Sequence, residues 1–287
     1  GLTLAEWMVY GEPSRDVFAM DVARFGDYCT PAYTRNKVRE NYQKRFSISY
    51  PNEELPVGRP LNTTPAYGIW QQQRAVFGQG YGMEHVNYFA SEGEPLEETP
   101  SFRRSNAFDA IGGECRAVRN SVGINEVHNF GKYRVKGSGA KAWLDTIMAG
   151  RIPKPGKLAL NPMLSQSGKL IGDFTLSCLG EDDFLVTASF GMQAYHMRWF
   201  LDHLPASGVE LSNVSTDLIG FQIAGPKARS VLAATTRFDV SNEAVPFLSI
   251  QRMEIGQCDA LVQRVSYTGD LGYEIYVPKE QQISLYY

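Results

Sequence analysis

Thiols and imidazoles are scarce in this sequence, whose 287 residues include four cysteines and four histidines. Cys29, Cys115, Cys178 and Cys258 lie far apart without a C-x-x-C pair, which excludes a disulfide-dense scaffold and the common zinc motifs. They read as reduced thiols. His196 and His203 are spaced unlike the i, i+4 pair of H-E-x-x-H, so no metal site is expected. A cationic excess is missing too: 28 Lys and Arg against 31 Asp and Glu give a formal charge of -3. That is too little positive charge to neutralise a run of phosphates, and nucleic acid is set aside as a partner. Nor is there an apolar run long enough to span a bilayer. Neither G-x-G-x-x-G nor G-x-x-x-x-G-K-[ST] occurs in a strand–loop–helix context, so glycine clusters such as GSG at 137–139 read as turns.

What remains is ordinary globular material, 43% hydrophobic and 21% charged, long enough for about two domains. The chain opens with Gly1 and no signal peptide, and ends in QQISLYY at helical spacing without a glycine cap, so it reads as an internal piece of a longer polypeptide. Near the start, Thr3-x-x-Glu6 predicts a capping box, and Gly11 and Pro13 predict the stop of a short helix. TRNKVRENYQKRF predicts a charged helix. SEGEPLEETP at 91–100 is acidic, holds Gly93, Pro95 and Pro100 and lacks hydrophobic periodicity, which marks a domain boundary. Beyond it strands alternate with helices, and KLALNPML and GKLIGDFTL form a hairpin across SQSG. The aromatic stripe Tyr195, Trp199 and Phe200 reads as helix core. The fold class is α+β.

One strand carries an anomaly. In GKLIGDFTL, alternation puts Ile171, Asp173 and Thr175 on one face and Leu170, Gly172, Phe174 and Leu176 on the other, the core face. Asp173 is then either a poorly solvated carboxylate suited to proton transfer, or an edge-strand residue in water or paired with an arginine. Glu274 in YEIYV poses the same choice between a ligand-binding carboxylate and a solvent-facing one. Tyr267, at the other end of the TGDLG loop, shares its neighbourhood. His128 stands without a Ser or Cys nucleophile motif and reads as structural.

Taken in order, CRAVRNSVGINEVHNFGKY, LNPMLSQSGKLIGDFTL, LIGFQIAGPKARSVL and SYTGDLGYEIYV resemble the folate-binding part of glycine-cleavage T-proteins, the aminomethyltransferases. EWMVYGEP, YPNEELPVGRP and SFRRSNAF are similar to the central region of dimethylglycine and sarcosine dehydrogenases. The resemblance implies three parts: the end of an FAD-dependent oxidoreductase domain at 1–45, a central linking region at 46–98 and a folate-binding domain at 99–287. It further implies that a flavin takes hydride from a small N-methyl amine and that the one-carbon unit passes to tetrahydrofolate, giving 5,10-methylenetetrahydrofolate. The electron acceptor stays unidentified, and the setting would be a bacterial cytoplasm or a mitochondrial matrix.

By the same resemblance Asp173 matches the catalytic acid/base aspartate, Glu274 the pterin-binding glutamate and Tyr267 the tyrosine beside it. Thr175 and Ser189 match further folate-lining positions. Phe130 replaces a usual methionine, and Leu160 a frequent tyrosine. Gly1, Leu2, Thr3 and Leu4 are the residues in reach of FAD, since a helix N-terminus favours negative charge. Two rivals stay open: a flavin-independent folate-dependent aminomethyltransferase, and a non-catalytic folate-binding protein.

Overall fold

The computed structural model describes residues 1–127 and 130–287, so His128 lies outside the described residues. Before residue 100 come α1 (Leu2–Tyr10), α2 (Pro31–Gln43), α3 (Tyr67–Gln72) and the hairpin β1 (Ala75–Gly80) and β2 (Met83–Phe89). Then follow α4 (Phe108–Asn120), β3 (Gly123–Glu126), β4 (Phe130–Lys136), α5 (Ala140–Ile147), β5 (Leu158–Leu164), β6 (Leu170–Gly180) and β7 (Asp183–Ser189). The chain continues through α6 (Gln193–Asp202), β8 (Glu210–Asn213), β9 (Leu218–Ala224), α7 (Ala228–Thr235), β10 (Ile250–Ile255), β11 (Cys258–Gln263), β12 (Gly272–Pro278) and α8 (Gln282–Tyr286).

Local chemistry accounts for several of these boundaries. The charged helix α2 starts where the Thr30 hydroxyl accepts from the Tyr33 N–H at 3.3 Å and Pro31 fills the first turn. In α1 the expected capping box does not form. Gly1 occupies the N-cap, Thr3 lies inside the helix, and Glu6 accepts from the Ser14 hydroxyl at 2.7 Å instead. The stop is as expected, with Gly11 in the left-handed conformation at φ 79°.

Two five-stranded antiparallel sheets dominate, in strand order β5-β6-β7-β4-β8 and β10-β11-β12-β9-β3. The first packs one face against α5 and α6, burying Tyr133, Phe174, Leu176, Phe184 and Phe200 completely or nearly so. Tyr195 and Trp199 are half-buried around that core, as the helical stripe predicts. Each such large side chain contributes about 2 kcal/mol of burial. The second sheet buries Ile223, Tyr273, Ile275 and Val277 against α7 and its Leu232. Leu158 and Leu185 of the first sheet meet Ile250, Leu261 and Tyr276 of the second in a third core, so the two sheets face each other between outer helices.

The hairpin β5–β6 forms across the SQSG turn, with Pro162 opposite Asp173 and Leu160 opposite Thr175. Its alternation departs from the sequence pattern at one end. Register slips between Met163 and Leu164, so Gly172 pairs with Met163 and Leu170 with Leu164, leaving Ile171 as the extra residue. Ile171 therefore turns into the helix-side core at 7% exposure, while Leu170 is 63% exposed. Past the bulge, Asp173 and Thr175 share the face toward the second sheet, and Phe174 and Leu176 point to the helices.

Candidate functional site

Register alone sets two rows of side chains opposite each other. In the first sheet Leu160, Thr175, Thr187 and Lys132 are successive cross-strand neighbours on β5, β6, β7 and β4. In the second, Gln263, Glu274, Gln222 and Asn125 follow one another across β11, β12, β9 and β3. Between the sheets lies a cavity of about 550 Å³. One wall comes from Phe130, Leu160, Asp173, Thr175, Thr187 and Ser189, and the other from Asn125, Gln222 and Glu274. The segment Val265–Tyr267 closes one side.

All seven residues assigned to folate by resemblance therefore line one cavity: Phe130, Leu160, Asp173, Thr175, Ser189, Tyr267 and Glu274. Burial separates them. Asp173 is exposed, the solvent-facing one of the readings left open by its strand pattern, and sits on β6 beside the edge strand β5. Among the described residues it has no hydrogen bond or ion pair, so the arginine alternative does not apply. Glu274 is the shielded carboxylate instead, at 5% exposure, because β12 is the central strand of its sheet. Tyr267 lies in a turn at 86% exposure, β11 having ended at Gln263.

Burial pushes the Glu274 carboxyl up to about 7, against the opposing pull of the Tyr276 hydroxyl and the Lys132 charge. Its Oε2 accepts from Tyr276 Oη at 2.7 Å, and burial together with this carboxyl holds the phenol well above its ordinary value. The site thus pairs a solvent-facing carboxylate on one wall with a shielded carboxyl, titrating near neutrality, on the other. Beside Glu274, the Nε2 of Gln222 and both ends of the Gln263 amide are buried without a partner among the described residues.

The residue pattern missed Thr187, Gln222 and Lys132. Gln222 carried a usable signal, a polar residue amid LIGFQIAG, the same kind that singled out Asp173. Lys132 carried none, since GKYRVKG alternates Lys132, Arg134 and Lys136 and reads as a solvated face. No group of three or more His, Cys, Asp and Glu among the described residues is placed to hold a metal, and no described helix is long and apolar enough to cross a membrane. Gly1 and Leu2 are exposed, as is Leu4, while Thr3 is half-buried, and none of them lines the cavity.

Residues 66–287 match the GCVT N-terminal domain family. The chain belongs to that family. Ahead of this GCVT domain, residues 10–64 match the FAD dependent oxidoreductase central domain. Human mitochondrial dimethylglycine dehydrogenase is 32% identical over 290 residues, covering 100% of this chain and 33% of that protein. Human mitochondrial sarcosine dehydrogenase is 27% identical over 331 residues, covering 100% of the chain and 36% of that protein. The GCVT chain thus spans about a third of the length of these relatives. Among solved structures, the glycine cleavage system aminomethyltransferase T from Bartonella henselae superposes with a TM-score of 0.65 at 20% identity, covering 79% of this chain and 56% of that one. The fold is accordingly GcvT-like, mixed helices and sheets with the oxidoreductase central domain at its N-terminal end.

Proposed function

We propose that the chain is the one-carbon acceptor part of a flavoenzyme that demethylates a small N-methyl amine of the dimethylglycine or sarcosine kind, and that its inter-sheet cavity binds tetrahydrofolate. The observation that carries this reading is the convergence of seven residues, separated by up to 144 positions in sequence, on one cavity. At about 550 Å³ that cavity has the size of an ordinary ligand pocket. Its chemistry fits a reduced pterin. Phe130, Leu160 and Val265 offer apolar contact, and Glu274 offers a carboxyl deep in the site, where the ring's amino-pyrimidine edge can donate two parallel N–H bonds.

Bound tetrahydrofolate would supply the two nitrogens that take up the one-carbon unit, one in the pterin ring and one beside it. The protein's own part is to hold and to move a proton. Glu274, kept in place by the Tyr276 hydroxyl, anchors the pterin edge. Asp173 on the facing wall, open to water, accepts the proton released as nitrogen bonds to carbon and passes it to solvent. Exposure suits that second role, because a carboxylate in contact with water returns its proton readily. The compartment under this reading is a bacterial cytoplasm or a mitochondrial matrix.

Calorimetry with tetrahydrofolate on the chain tests the assignment. Losing the Glu274 carboxylate in Glu274→Ala should weaken binding roughly tenfold to a hundredfold, the worth of charged hydrogen bonds. Asp173→Asn should leave binding within about threefold but slow one-carbon transfer in the intact enzyme by roughly a hundredfold or more. Equal binding by all three proteins would remove the folate assignment.

A further inference from the structure

Lys132 is fully buried on β4, next to Thr187 in the row that walls the cavity. Its Nζ donates to the carbonyl oxygens of Phe130 at 2.7 Å and Val127 at 3.2 Å. Both acceptors are neutral, so among the described residues the ammonium has hydrogen bonds but no ion pair, and an unbalanced buried charge is costly. Across the inter-sheet space the mirror situation holds at Glu274, whose hydrogen-bond partner is the Tyr276 phenol. Among the described residues, the cross-strand neighbours of this carboxyl are the uncharged Gln263 on β11 and Gln222 on β9, and Thr187 on β7 faces the same cavity. Asp173, the remaining charge on the cavity wall, is like in sign and open to solvent. Glu126, the other buried carboxyl nearby, is engaged by Gln282 Nε2 at 2.6 Å, so among the described residues Lys132 and Glu274 are the opposite charges left to balance each other.

We infer that Lys132 is the buried counter-charge that keeps Glu274 ionised, and so is a positioning residue for ligand recognition by that carboxylate. The inference rests on the tetrahydrofolate reading of the cavity. A neutral amino-pyrimidine edge donates two N–H bonds to a carboxylate but meets one wrong proton on a carboxylic acid, so the charge state of Glu274 decides whether the edge is held. The titration of both groups near 7, with each opposing the other's desolvation, is consistent with this coupling.

Calorimetric titration of the chain with tetrahydrofolate, run from about pH 6 to about pH 9 with melting curves alongside, separates the outcomes. Binding by the wild type should weaken as pH falls through about 7. In Lys132→Met the midpoint should move up by about one pH unit, leaving binding at pH 7 about fivefold weaker. Lys132→Met also strips the donor from two carbonyls, so its melting temperature alone decides nothing. The double variant Lys132→Met/Glu274→Gln removes both charges and should melt higher than Lys132→Met, a rescue readable even where the single variant folds poorly. An unmoved midpoint, or a double variant melting no higher than the single, overturns the inference while leaving the folate site standing. No binding by the wild type at any pH overturns the folate reading itself, and the positioning role with it.

Discussion

Glu274 and Lys132 make the pH dependence of stability unusual at the level of single residues. The Glu274 carboxyl is raised from 4.5 to about 7 by burial, so the folded chain holds a proton that the unfolded chain has released between those values. Its contribution to stability is therefore complete below about 4.5 and declines as pH rises to about 7. Lys132, lowered from 10.5 to about 7, acts in the opposite sense: its contribution is complete above about 10.5 and declines as pH falls toward 7. Together they place a local minimum near neutrality. Urea midpoints at pH 5, 6 and 7 should fall in the wild type and stay flatter in Glu274→Gln, with a difference in slope of up to about 1.4 kcal/mol per pH unit. Parallel profiles would show that Glu274 titrates at its ordinary value. Of these two residues only Glu274 was legible, since a carboxylate inside YEIYV is locally conspicuous. A lysine alternating with Arg134 and Lys136 looks solvated, and its burial arises only because β4 pairs with β7 and lies under the second sheet.

Element β6 shows how a strand is read correctly and still misfaced. The sequence foretold its existence, its hairpin with β5 and the outward face of Asp173, all of which follow from period-2 alternation and a turn signal. The bulge at Ile171 was not foretold, because no residue type announces where one strand takes an extra residue relative to its partner. Next to it, Gly172 is demanded by packing: a Cβ there would stand 2.6 Å from Phe174 Cε2 and 2.7 Å from His196 Nε2. Both neighbours are fixed, Phe174 being nearly inaccessible and His196 holding the Tyr133 hydroxyl through Nδ1 at 3.1 Å. Gly172→Ala should therefore cost about 1 to 3 kcal/mol through overpacking, read as a lowered urea midpoint. Because the displaced backbone carries Asp173 directly, transfer should fall as well. An alanine variant of unchanged stability would mean that α6 can move away from β6 freely.

At the scale of the molecule, the site exists only because two sheets face each other, and that arrangement was not legible in the sequence: the family resemblance named the residues that converge but not the sheets that carry them. Periodicity finds strands one at a time. It does not say that β3 joins the far edge of one sheet while β4, four residues on, enters the other between β7 and β8. Such pairings are set by the combined burial of Leu158, Leu185, Ile250, Leu261 and Tyr276, five residues from five strands. The same scale governs how the first sixty or so residues attach. Arg198 on α6 holds Asp21 in a two-pronged ion pair, Nη1 to Oδ1 at 3.1 Å and Nη2 to Oδ2 at 2.6 Å.

That pair ties the N-terminal region to the helix whose His196 and Phe200 back the strand bearing Asp173. Arg198 keeps the Asp21 carboxyl below the usual aspartate value, so this contribution is present above about pH 4 and is lost as pH falls through the lowered value. Asp21 Oδ1 also accepts from the Ala23 N–H at 2.8 Å, a bond that asparagine keeps, so Asp21→Asn isolates the ion pair. The variant should lose about 1 to 2 kcal/mol of local stability, as for a charged hydrogen-bond pair half open to water. Limited proteolysis should then cut faster within roughly the first thirty residues, where few apolar contacts resist local opening. Tetrahydrofolate affinity should stay unchanged, since neither Asp21 nor Arg198 lines the cavity. Faster cleavage together with weakened binding would instead mean that the N-terminal region holds α6, and through it the wall carrying Asp173, in place.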